Sequence, residues 1–240
     1  MVTTMKRAIF YNLVLAVSLS LVSAVCFAQA TGLGISNPAS PHNFSGPGDT
    51  WNLTGEICRV CHVPHDHNRA SQRYLNGLLW NHALSAANYT MYDSSWSATL
   101  DGAQSAQPDG IAKLCLGCHD GTIAVDTFDK YAGSAVFMED INLGFIVPGF
   151  IEGPNLDMRG THPLSISYDP VADPNLNPVS TAMGTSGTIE DVLDNGKVQC
   201  SSCHDVHDQE SVAGTHLLRV AQTVAQGGVA SGLCLTCHDK

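Results

Sequence analysis

"CSSCHDVHD", residues 200–208, places two cysteines three positions apart, a histidine directly behind them, and a second histidine, His207, three residues further on. The first five residues are not unique in the chain. "CRVCH" stands at 58–62, "CLGCH" at 115–119 and "CLTCH" at 234–238. Eight of the nine cysteines fall in these four C-x-x-C pairs, and each pair is followed at once by histidine. C-x-x-C-H is the attachment sequence of a c-type haem. Two thiols at this spacing can form thioethers with the two vinyl groups on one porphyrin edge, and the adjacent histidine then reaches the iron from one face.

Other uses of paired cysteines fit less well. A zinc ribbon needs C-x-x-C pairs but no histidine after each of them. A thioredoxin-like motif occurs once, beside a βαβ pattern that is absent here. A disulfide framework accounts for an even cysteine count but not for the histidines. The expectation is therefore four covalent haems. Cys58, Cys61, Cys115, Cys118, Cys200, Cys203, Cys234 and Cys237 carry the thioethers, and His62, His119, His204 and His238 are the proximal iron ligands.

The sixth position of each iron decides between chemistry and electron transfer, because a second strong ligand makes a haem a carrier. Seven further histidines are available against four methionines beyond residue 30. His207 cannot serve the haem of His204. An imidazole holds its Cα roughly 6 Å from a bound metal, so two ligands on opposite faces need Cα atoms roughly 12 Å apart. Three residues span about 10 Å at most when extended, and about 5 Å on a helix. His207 thus belongs to a different haem, and the same reasoning applies to His65 behind His62 in "CRVCHVPHD". A C-x-x-C-H-x-x-H unit ties two haems together. The distal candidates rank His207, His65, His162, His42 and then His82. For His82, in "LLWNHALS", a packed and hydrogen-bonded histidine is the alternative. His67 reads as solvated, and His216 ranks low.

The N-terminus has the pattern of a secretory signal. Lys6 and Arg7 precede an apolar run at 8–25, and "CFAQA" offers small residues for cleavage after Ala28 or Ala30. This assigns 1–28 to a signal peptide and 31–240 to a single tetrahaem domain, secreted or at the cell surface, with the periplasm as the alternative. Loss of Lys6 and Arg7 leaves 9 basic against 22 acidic residues, a formal charge of −13. A polyanion of this kind is a poor binder of nucleic acid and of anionic lipid. No later stretch is apolar and long enough for membrane insertion of the mature chain.

Hydrophobic periodicity is weak almost throughout. The fold class expected is mostly irregular coil with short helices and a few short strands, compact and organised around its four haems. Helical turns are expected at each C-x-x-C-H and near 217–226. "SISY" alternates as a strand does, and "DNGKVQC" pairs an Asn-Gly turn with a short strand.

Taken together, "SPHNFSG", "EICRVCHVPHD", "LLWNHALS", "LCLGCHDGTIAVD", "THPLSISYDP", "VQCSSCHDVHD" and "LCLTCHDK" resemble the multihaem c-type cytochromes with doubled C-x-x-C-H units, typical of metal-reducing bacteria. The chain is most similar to the tetrahaem extracellular cytochromes that polymerise into conductive filaments. That resemblance implies bis-histidine ligation of all four haems in a continuous stack, a homopolymer, and one histidine crossing to a neighbouring subunit, for which His65 holds the matching position. It also implies redox partner proteins and extracellular electron acceptors such as metal oxides. A discrete periplasmic or surface tetrahaem carrier shares the same motifs. An oxyanion reductase with one open haem is opposed by the few basic residues and the many histidines. A haem-based sensor or storage protein is the weakest reading.

Overall fold

The computed structural model describes residues 32–63, 79–129, 136–138, 140, 149–150 and 155–239. The signal segment, His65 and His67 lie outside the described residues. Regular structure is sparse and the elements are short. Among the described residues, five strands run over Asn88–Thr90 (β1), Gly149–Phe150 (β2), Asn155–Asp157 (β3), Ile166–Ser167 (β4) and Lys197–Val198 (β5). The helices of the described residues cover Gly110–His119 (α1), Ile189–Val192 (α2), Cys200–Cys203 (α3) and Gly232–Cys237 (α4), with 3-10 turns at Cys58–Val60 and Val224–Gln226. Among the described residues, no helix is long and apolar enough to cross a membrane.

Two small sheets brace the loops. β3 lies between β1, parallel to it with Tyr89 opposite Leu156, and β2, antiparallel to it with Phe150 opposite Leu156. β4 and β5 pair antiparallel with Ile166 opposite Val198. β5 leaves a two-residue hairpin in which Asn195 and Gly196 both take positive φ, 52° and 73°. That is the conformation which favours Asn-Gly at a tight turn. Asp194 and Lys197 exchange both backbone hydrogen bonds across it.

Among the described residues the apolar core forms two small clusters, and each adjoins a cysteine motif. Trp51, Val60, Val125, Phe128 and Met138 are buried together, with Phe44, Cys61 and Cys118 packed against them. Tyr89, Met91, Leu116, Leu156 and Met158 form the second, which seats β1 and β3 against α1. Neither cluster is the continuous core expected of a chain this long. The first two cysteine motifs sit where this apolar material is.

Candidate haem-binding site

Every C-x-x-C pair lies on a helical turn, which brings its two thiols onto one side. At Cys200 and Cys234 the turn stops at the histidine. His204 (φ −113°, ψ 133°) and His238 (φ −113°, ψ 130°) both leave the helix in the same extended conformation. His119 is instead the last residue of α1.

Polar groups distant in sequence fix each turn. Arg59, inside "CRVCH", is held by Asp129 at 2.6 Å, and Asn81 donates to the Arg59 carbonyl and to Asp129. The N-terminus of α1 is held by Asp194, which accepts from the Ile111 N–H at 3.0 Å. Behind His119, the fully buried Asp120 accepts from the Tyr89 hydroxyl at 2.5 Å and from Thr122. Burial and this bond raise the Tyr89 phenol above its ordinary pKa. Arg219 donates to the Ser201 carbonyl at 2.9 Å and to Glu210 at 2.7 Å, holding α3. On α4, Asn177 donates to the Leu235 and Thr236 carbonyls, and Tyr168 donates to the Cys237 carbonyl at 3.0 Å.

The thiols run in sequence order. Cys61 interacts electrostatically with Cys115, Cys118 with Cys61, and Cys203 with Cys234. At the middle sites, Cys115 and Cys200 influence each other's titration. Burial pushes the Cys61 thiol up to about 12 and the Cys237 thiol up to about 11, and raises Cys118 and Cys203 as well. The neighbouring Cys115, together with burial, raises Cys200. A thiol kept protonated in this way is a poor nucleophile and a poor thiolate ligand. None of these eight cysteines is in a disulfide, and among the described residues no three His, Cys, Asp or Glu side chains gather as a protein-only metal site would need.

The histidines come together in pairs. His62 faces His207, with ring centroids 6.2 Å apart and planes 25° from parallel. His119 faces His42 at 6.2 Å and 64°, and His238 faces His162 at 6.2 Å and 58°. Each pair joins one motif histidine to one histidine from elsewhere in the chain. Two imidazoles bound to opposite sides of one iron need centroids roughly 6 Å apart, from a metal–nitrogen bond of about 2 Å on each side. This distance also falls in the range of ordinary ring contacts. What distinguishes the three contacts is the recurrence of one motif and one outside histidine at the same separation.

The second ring nitrogens support the same use. Histidine ligands characteristically engage a carbonyl or carboxylate through the nitrogen that does not meet the metal. His162 Nδ1 lies 2.9 Å from the Pro163 carbonyl, His42 Nδ1 3.4 Å from that of Val206, and His204 Nδ1 2.7 Å from that of His216. His42 is lowered to about 4, first by burial and then by His119. A histidine held neutral is the form that can bind a metal.

His82 is packed beside the second motif, its Nε2 3.5 Å from Cys118 Sγ. It is 1% exposed, with Nδ1 3.0 Å from the Ala83 carbonyl and Nε2 3.2 Å from that of Val125. To reach an iron, Nε2 would have to leave Val125. His216 contributes its carbonyl to His204.

Sequence reasoning missed Asp205. Its buried carboxylate accepts from the N–H groups of His207 at 3.1 Å, Gln209 at 2.6 Å and Glu210 at 2.7 Å, so it shapes the loop that presents His207. Burial opposes its charge, but these backbone donors outweigh it and hold the carboxyl below its ordinary value. The available signal was an aspartate directly after His119, His204 and His238. Compared with known proteins, the chain matches no family model, and no curated protein matches it.

Proposed function

We propose that this protein is an exported electron carrier that holds four c-type haems, each clamped between two histidines. The three histidine pairs carry the reading. His62 with His207, His119 with His42, and His238 with His162 would hold three irons, and His204 a fourth, each haem bonded to the two cysteines of its motif. When bound, haem supplies a one-electron iron couple, and histidine on both faces favours a low potential. The chain's own residues fix the imidazoles. Val206, Pro163 and His216 orient rings through their carbonyls, and Asp205 shapes the loop between His204 and His207. Because His207 follows His204 by three residues yet faces His62, the loop 204–207 ties the first site to the third.

At the three paired sites, two histidines holding one iron would favour a carrier over an oxyanion reductase. On the resemblance of its motifs, the chain is a subunit of an extracellular filament, with His65 as the ligand crossing to a neighbouring copy and metal oxides among the acceptors. The test uses the native secreted protein. Intact mass should show four haems per chain, the reduced protein should not bind carbon monoxide, and electron microscopy should show filaments with a regular repeat. Discrete particles would leave a soluble tetrahaem carrier. Carbon monoxide binding by the native protein would indicate an open haem, and a mass without haem would end the proposal.

A further inference from the structure

Four buried side-chain polar atoms have no hydrogen-bond partner among the described residues: Ser40 Oγ, Trp51 Nε1, Trp80 Nε1 and Gln104 Oε1. The first three include a donor, and each lies close to the first two motifs. Ser40 is two residues before His42. Trp51 shares a cluster with Cys61 and Cys118. Trp80 meets His62 edge to face, with ring centroids 6.2 Å apart and planes at 89°.

Trp80 is the most closely fixed of the three. His62 and Trp80 face each other across an antiparallel bridge. The Val63 N–H donates to the Leu79 carbonyl at 2.9 Å, and the Asn81 N–H to the Cys61 carbonyl at 2.9 Å, on either side of that bridge. Asn81, 1% exposed, is locked in turn by Arg59 and Asp129. Backbone pairing therefore sets the indole beside the histidine. Packing alone would be served equally by phenylalanine.

An indole N–H can only donate, and a buried donor left without an acceptor costs about 1–3 kcal/mol. Native proteins rarely leave such a group without a role. Among the described residues, none accepts from this one. The haem proposed for Cys58, Cys61 and His62 would bring two propionate carboxylates, which are strong acceptors of charge-assisted hydrogen bonds.

We infer that Trp80 Nε1–H is a hydrogen-bond donor to a haem propionate at the first site, making Trp80 a positioning residue that also tunes that haem's potential. The inference rests on the haem reading above. A donor on the propionate offsets its negative charge, so removing it favours the oxidised iron and lowers the midpoint.

The experiment compares the haem-loaded wild type with Trp80→Phe, which keeps an aromatic ring and deletes the donor, and with Trp80→Tyr, which supplies a hydroxyl. Haem content is counted first. A wild type lacking haem overturns the haem reading itself. With four haems present, Trp80→Phe should shift the propionate bending band in resonance Raman and lower one midpoint of four. Trp80→Tyr should shift both less, and the exposed Trp96→Phe should leave both unchanged. Four haems with an unmoved band and unmoved midpoints in Trp80→Phe would overturn the role of Trp80 alone; this is also the outcome if the indole binds only water. If Trp80→Phe fails to load haem, the wild type itself decides: a propionate bending band that shifts when the indole N–H is exchanged for N–D supports the bond, and a band that does not shift overturns it.

Discussion

The pair His42 with His119 and the pair His162 with His238 have the same ring separation and opposite settings. His42 lies behind Phe44, in contact with the first core cluster through that ring, and burial keeps it neutral. His162 is exposed, in the loop before β4, and among the described residues its ring meets the carbonyl of the next residue and His238. The second site is built into the core, while the fourth is assembled at the surface by α4 and the loop at 175–177. The lesson is that equal ligand geometry does not imply equal dependence of the fold on the ligand.

His42→Ala should have the largest effect. It removes an imidazole packed among Phe44, His119 and the Val206 carbonyl, so stability should fall by about 2–3 kcal/mol. One haem should become high-spin and bind carbon monoxide, read by thermal melting together with the visible spectrum. The exposed counterpart separates the two effects. His162→Ala should open one haem in four to carbon monoxide while leaving the melting temperature close to that of the wild type. If both variants melted alike, the contrast between buried and surface sites would fail.

Asp205→Ala probes the loop between the sites. Three backbone N–H groups lose their acceptor, and each left unsatisfied costs about 1 kcal/mol or more. His207 should then bind less firmly opposite His62, giving a partly high-spin signal in electron paramagnetic resonance. Asp205→Asn, which keeps one acceptor oxygen, should restore most of the low-spin signal. The smallest effect belongs to the clamp on α1. Lys197 lies 2.5 Å from Asp109 with both side chains partly exposed, so Asp109→Asn should cost under about 1 kcal/mol in chemical denaturation. The Asp109 carboxyl sits below its ordinary value because Lys197, Ser105 and Gln199 together outweigh the opposing effect of burial. Its contribution is therefore present above the usual aspartate pKa and is lost as pH falls through the lowered one. The mutant should show a flatter acid limb of the stability curve.

Local chemistry explains what the sequence makes legible. The turn at Asn195 and Gly196 follows from the ease with which those residues take positive φ, and the helical turns at the cysteine pairs from their three-residue spacing. The parallel pairing of β1 with β3 joins residues 67 positions apart by registers such as Tyr89 with Leu156, and no local signal announces it. The site divides in the same way. The thiols and motif histidines are adjacent in the chain and readable. Chain reach excludes His207 from the site of His204, but only folding brings it opposite His62. His82 shows the opposite limit: its position after Leu-Leu-Trp is compatible with a ligand or with a packed ring, and the nearness of its nitrogens to the carbonyls of Ala83 and Val125 and to Cys118 Sγ is invisible in sequence.

The most direct measurement is an anomalous iron map of the haem-loaded protein. The account expects four iron peaks per chain, with single peaks between His62 and His207, between His119 and His42, and between His238 and His162. An iron at His62 whose sixth ligand is water, or any residue other than His207, would contradict it.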